Sequence, residues 1–124
     1  MIKSKPRAKH EELLQKAVVN YLLLLEKQKK LTFTANYNNV ARSDAYASRT
    51  GAKNKAMGVR KGWPDLTVYR FESKPIFLEL KSPKGRLSKE QKEWQQKLEC
   101  MGFDWFLIRS LDDVKAALKQ TGVI

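Results

Sequence analysis

The chain has 124 residues, with 25 Lys and Arg against 13 Asp and Glu, a formal net charge of +12 and a hydrophobic fraction of 42%. That size predicts one domain around one core, and the apolar fraction excludes a disordered polyelectrolyte. The charge predicts a polyanionic partner, with nucleic acid first among them.

The basic excess is uneven: residues 1–62 carry 14 basic and 4 acidic side chains, whereas residues 63–124 carry 11 and 9. Residues 1–9 read as a basic, polar N-terminal tail ahead of a domain over 10–124. The longest apolar run, residues 21–25, is far short of the roughly 20 residues that cross a bilayer. No apolar signal core follows the basic start, so the expectation is a cytoplasmic protein with no membrane partner. Cys100 is the single cysteine and His10 the single histidine. An internal disulfide, a cysteine zinc cluster and histidine-centred hydrolysis are therefore excluded. Chemistry must run on carboxylates, lysine and a divalent cation that takes oxygen ligands.

A helix is expected from near His10. Leu13, Leu14, Ala17, Val18, Tyr21, Leu22 and Leu25 form one stripe at helical spacing. Lys27, Lys29 and Lys30 stand at its end, where cations suit the helix dipole. Residues 31–37 alternate weakly as a strand does. Residues 38–62 read as a long basic loop, with a short helix around 52–57; a loop of that length in a small domain has a function or is disordered. Residues 66–71 and 76–80 read as two strands joined by the Glu72-Ser73-Lys74-Pro75 turn. Ser88 starts a helix with Trp94, Leu98 and Met101 on one face, and Gly102 ends it. Residues 105–108 form a further strand, and Ser110 caps a last helix whose Val114 and Leu118 point inward. The pattern is mixed α/β, a central sheet flanked by helices.

If 66–71 and 76–80 form a hairpin, facing residues have index sums of 144 to 146. Asp65 then faces a position between Glu79 and Lys81. Glu79 and Lys81 share one face of their strand, while Leu78 and Leu80 take the other. Two carboxylates at about 4 Å and an effective dielectric of about 20 repel by about 4 kcal/mol. One is protonated, or a cation lies between them. Mg²⁺ binds through one or two carboxylates together with waters and phosphate oxygens, and polarises a phosphodiester. The alternative is an ordinary Glu–Lys pair on a surface hairpin.

Gly58-Val59-Arg60-Lys61-Gly62-Trp63-Pro64-Asp65-Leu66, followed by Phe77-Leu78-Glu79-Leu80-Lys81, resembles the core of PD-(D/E)XK nucleases. Within that group it is similar to the VRR-NUC domain family, over about His10 to Val114. The trailing Gly85-Arg86-Leu87-Ser88-Lys89-Glu90-Gln91-Lys92-Glu93-Trp94 strengthens the likeness. Lys61 is a departure, standing where the family name implies a second arginine. The resemblance implies a restriction-endonuclease-like fold and DNA cleavage with Mg²⁺ or Mn²⁺. It implies Asp65 and Glu79 as metal ligands, the Leu80 carbonyl as a further one, and Lys81 as the catalytic lysine. It also places a glutamate on the first helix, four residues before Gln15. Helical geometry favours Glu11, about 70° from the centre of the apolar stripe, over Glu12, about 170° away; the competing role for Glu11 is a first-turn dipole partner.

Gln91 has two readings, a capping box with Ser88 or the helper glutamine of the resembled family. Trp94 reads as core, and Trp63 as more open. Arg42, Arg49, Lys53, Lys55, Arg60 and Lys61 are the candidate phosphate contacts; Asn36, Asn38, Asn39 and Arg42 resemble the family's Asn/Arg-rich segment before the core, which implies that they line the cleft. Compact phage and bacterial members of the family imply a homodimer acting on four-way (Holliday) junctions in a bacterial or phage-infected cell. The alternatives are a flap or single-strand nuclease of the same fold, and a basic DNA-binding module without catalysis.

Overall fold

Leucine, alanine, lysine and glutamate sustain a long first helix, α1 (Arg7–Lys27), which starts before the His10 expected from the sequence. The computed structural model describes residues 7–36 and 52–124. After α1 come β1 (Thr32–Ala35), a short helix α2 over 52–56, β2 (Leu66–Tyr69), β3 (Ile76–Leu80), α3 (Lys89–Cys100), β4 (Asp104–Ile108) and α4 (Leu111–Gln120). The order expected from the sequence therefore holds within the described residues. No described helix is long and apolar enough to cross a membrane.

The strands form one mixed sheet in the order β1-β2-β3-β4. β1 pairs antiparallel with β2, and β2 with β3, while β4 joins β3 in parallel. The parallel pair follows from α3 crossing over between β3 and β4. β3 is central and buried along its whole length.

Side chains alternate across this sheet. Leu66, Val68, Ile76, Leu78, Leu80 and Ile108 face one side, where Val18, Leu22 and Leu25 of α1 and Val114, Ala117 and Leu118 of α4 cover them. Phe77 and Trp105 face the other side and meet Leu98 of α3, with Trp63, Trp94 and Phe103 packed against them. The α1 stripe is narrower than the sequence suggested, because Leu13 and Ala17 are exposed. Met101 is also exposed: it is the C-cap of α3 and no longer belongs to the apolar face.

All four described helices end the same way. A residue just past each helix has positive φ: Lys29, Gly58, Gly102 and Gly122. The following N–H bonds five residues back, Lys30 to Leu25, Val59 to Asn54, Phe103 to Leu98 and Val123 to Leu118. This is the Schellman closure, which favours glycine at the left-handed position. Ser88 and Ser110 cap α3 and α4 as expected.

Candidate functional site

The β2–β3 register has Leu66 opposite Leu78 and Thr67 opposite Phe77. Continued by one residue, it sets Asp65 opposite Glu79. The β1–β2 register continued likewise sets Asn36 opposite Asp65. Asn36, Asp65 and Glu79 thus form a row across three strands on the α3 side of the sheet.

Each carboxylate accepts a backbone N–H from the opposite strand. Leu80 N–H donates to Asp65 Oδ2 at 2.8 Å, and Asp65 N–H donates to Glu79 Oε2 at 3.2 Å. Asn36 secures the bend before β2: its N–H donates to Asp65 O at 2.8 Å, and its side-chain amide donates to Pro64 O at 2.8 Å and Thr67 Oγ1 at 3.0 Å. Glu79 is 1% exposed, and its Oε1 is buried without a hydrogen-bond partner. Burial, reinforced by the hydrogen bond and charge of Asp65, pushes the Glu79 carboxyl up to about 9, with the Lys81 charge opposing. A buried anion without a partner is costly, so this carboxyl keeps a proton or meets a cation.

The next position of the ladder adds an oxygen. Pro64 falls opposite Leu80 in the continued register, and a proline has no N–H to donate to the Leu80 carbonyl. Asp65, Glu79 and that carbonyl are hard oxygen donors whose charge Lys81 offsets only in part, a set suited to Mg²⁺ or Mn²⁺. The residues present therefore fit the ion that the sequence resemblance implies.

Lys81 continues β3, with its N–H donating to Ile108 O at 2.9 Å. The turn after it wraps one guanidinium nitrogen. Arg109 Nη1 donates to Ser82 O at 2.6 Å, Gly85 O at 2.8 Å and Pro83 O at 3.2 Å. Arg109 was not among the residues singled out by the sequence. It follows a strand with no distinctive spacing, and its partners are backbone carbonyls 24 to 27 residues away.

Gln91 sits in a complete capping box: Ser88 N–H donates to Gln91 Oε1 at 2.8 Å and Gln91 N–H to Ser88 Oγ at 3.1 Å. Of its two readings, the capping one is the arrangement present. Glu11 is half-buried on α1, and no group of three His, Cys, Asp or Glu gathers into a metal cluster among the described residues. Asp65 and Glu79 meet; Glu11 is not drawn into a cluster with them. Glu12 faces solvent as helical geometry required. Its hydrogen bond with Lys16, and the Lys9 charge, hold it below the usual carboxylate range.

Lys53, Lys55, Arg60 and Lys61 are exposed near the turn leading into β2; Lys61 pairs with Glu90 at 3.7 Å. Arg42, Arg49, Asn38 and Asn39 lie outside the described residues. Trp63 is less open than the sequence suggested, packing edge-on against Phe77 at 5.4 Å and Trp94 at 4.8 Å. Gly62 lets the turn before Trp63 lie against the first turn of α3. Its φ is +84°, and a Cβ there would lie 2.7 Å from Glu90 Cβ and 2.8 Å from the Glu90 carbonyl carbon.

The VRR-NUC domain model matches residues 4–112. A solved structure described as a VRR_NUC domain protein superposes with a TM-score of 0.58 at 20% identity, covering 89% of this chain and 85% of that one. That likeness shows a shared fold: a restriction-endonuclease-like mixed sheet between helices. No curated protein matches the chain. With the family match extending over most of its length, the chain belongs to the VRR-NUC domain family.

Proposed function

We propose that the protein is a divalent-metal-dependent DNA endonuclease that hydrolyses phosphodiester bonds, with branched DNA, a four-way junction above all, as substrate. The observation that carries this reading is the buried Glu79 Oε1, left without a partner beside Asp65. A protein that only bound DNA would gain nothing from two carboxylates turned towards a phosphate, since they repel it.

Asp65, Glu79 and the Leu80 carbonyl would hold Mg²⁺ or Mn²⁺. Such a cation, when bound, neutralises charge on the scissile phosphate and makes water a better nucleophile. The chain's own residues do the rest. The bonds from Asp65 N–H to the Glu79 carboxylate and from Leu80 N–H to the Asp65 carboxylate fix both side chains in advance, as preorganisation requires. Lys81 orients the attacking water or offsets negative charge as water adds to phosphorus and the sugar oxygen departs. Glu11 remains the candidate third acidic group on α1, half-buried where Glu12 is exposed, although it stands outside the Asp65–Glu79 cluster. Gln91 enters as a helper at the N-terminus of α3. The exposed Lys53, Lys55, Arg60 and Lys61, with Arg42 and Arg49, supply phosphate contacts. A two-fold homodimer would bring two such sites to a symmetric junction.

Labelled four-way junction, flap, single strand and duplex, incubated with Mg²⁺, Mn²⁺ or EDTA, test this. Metal-dependent cutting of the junction in preference to duplex is expected, with sedimentation showing a dimer. Cutting confined to flap or single strand replaces the junction. No cutting with any divalent cation overturns the catalytic reading in favour of a binding module.

A further inference from the structure

A groove of about 450 Å³ opens on the α3 side of the sheet, between the end of β1, the 58–60 turn and α3. Trp63, Trp94 and Val59 give it apolar walls, and Asn36 and Arg60 add polar groups. It adjoins the acidic pair, because Asn36 bonds to the backbone of both Pro64 and Asp65, and Trp63 immediately precedes them.

The aromatic walls are rigid. Trp94 Nε1–H donates to Lys61 O at 2.9 Å, fixing the turn of that indole. Trp63 is fixed by its edge contacts with Trp94 and Phe77. Two cations attend the Trp94 ring, Arg60 at 5.0 Å and Lys97 at 5.1 Å from its centre. Arg60 has no ion pair among the described residues, whereas the neighbouring Lys61 is partnered by Glu90. The amide of Asn36 has its NH₂ committed to Pro64 and Thr67, so its carbonyl oxygen is what it offers a ligand.

Indole walls, a guanidinium and a positive charge unpaired among the described residues suit a flat, hydrogen-bonding aromatic group attached to an anion. Bases stack on aromatic faces and on guanidinium planes alike. A bare phosphate site has no use for two indoles, and an apolar peptide segment has none for the cations. We propose that this groove seats one unstacked nucleobase of the DNA strand whose phosphate lies at the Asp65–Glu79 pair, an inference that rests on the nuclease reading. The base must leave its stack to enter, which costs least in unpaired or distorted DNA. The groove thereby selects junctions, flaps and single strands over continuous duplex.

The test measures binding in EDTA, so that it is independent of cleavage. Fluorescence anisotropy compares labelled single-stranded oligothymidylate with the same strand made abasic over a few residues, which keeps its charge. The wild-type protein should bind the intact strand about tenfold tighter or more. Arg60→Ala should weaken binding of the intact strand more than of the abasic one, and Trp94→Leu should do the same where circular dichroism shows it folded. Equal affinity of the wild type for both strands overturns the proposal. So does an Arg60→Ala loss that is the same for both strands, which marks a role confined to phosphate, or a base preference that survives the substitutions. Cleavage without base preference would sink the subsite and spare the nuclease reading; base preference without cleavage would do the reverse.

Discussion

Glu79 is the residue on which the candidate chemistry turns. Its carboxyl, pushed up to about 9 by burial and by Asp65, binds a proton more tightly in the folded chain than in the unfolded one. Between the ordinary glutamate range and about pH 9 the unfolded state has lost that proton and the folded state has kept it. Stability without metal therefore falls as pH rises through this window, by at most about 1.4 kcal/mol per pH unit. Thermal melts in EDTA from pH 5 to 9 should show a declining Tm that Glu79→Gln flattens. Added Mg²⁺ should raise the Tm more at pH 8 than at pH 6, since the cation competes with the proton. Lys81 makes a separate prediction. Lys81→Ala should abolish cleavage and leave DNA affinity nearly unchanged, as a loss confined to the transition state requires. Cleavage by Lys81→Ala at the wild-type rate would remove that residue from the mechanism.

The helix ends and the β3–α3 turn make their own demands. α1 closes on Lys29 in the left-handed region, where α3 and α4 use Gly102 and Gly122. A side chain there costs about 1–2 kcal/mol. Lys29→Gly should therefore raise the Tm and stabilise the protein by about 1 kcal/mol in urea titration, net of the greater freedom of glycine in the unfolded chain. The turn after Lys81 is held by Arg109 through three carbonyls. Arg109→Met leaves those acceptors short of a donor, at a cost of about 1.5–3 kcal/mol. If this turn steadies Lys81, kcat should fall with KM little changed in protein kept below its melting temperature. Arg109→Lys, which retains a cationic donor, should restore part of the loss.

For the molecule as a whole, the two faces of the sheet divide the work. α1 and α4 seal an aliphatic core on one face, so the other face is left to carry the acidic pair, the aromatic cluster and α3. Arg70 ties the two ends of this arrangement together. It donates to Lys74 O, Thr121 O and Asp104 Oδ2, joining the β2–β3 turn to the end of α4 and the start of β4. The net charge of +12 acts at this scale too, through release of counterions from DNA. The logarithm of duplex affinity should fall linearly with that of salt concentration. Lys53→Glu with Lys55→Glu should reduce the slope by up to about 2, or leave it unchanged if these lysines face away from DNA.

The linear chain was enough to place nearly every element, because helix and strand periodicity, serine caps and proline-containing turns act over a few residues. That Asp65 lies across from the stretch between Glu79 and Lys81 was also readable, since a short hairpin permits few registers; which of them it faces was not. Longer-range placement was not. That Leu13 and Ala17 face water, that Trp63 packs against Trp94, and that Arg109 gathers the carbonyls after Lys81 all depend on how separate elements dock. The helix face Gln91 shares with Trp94 and Leu98 favoured a site role over the capping its spacing with Ser88 also allowed, and the hydrogen bonds of the folded helix display the capping. Burial of Glu79 likewise emerges only once β2 and β4 flank β3. Local preference selects the elements, whereas the field felt by a carboxyl is the sum of everything folded around it.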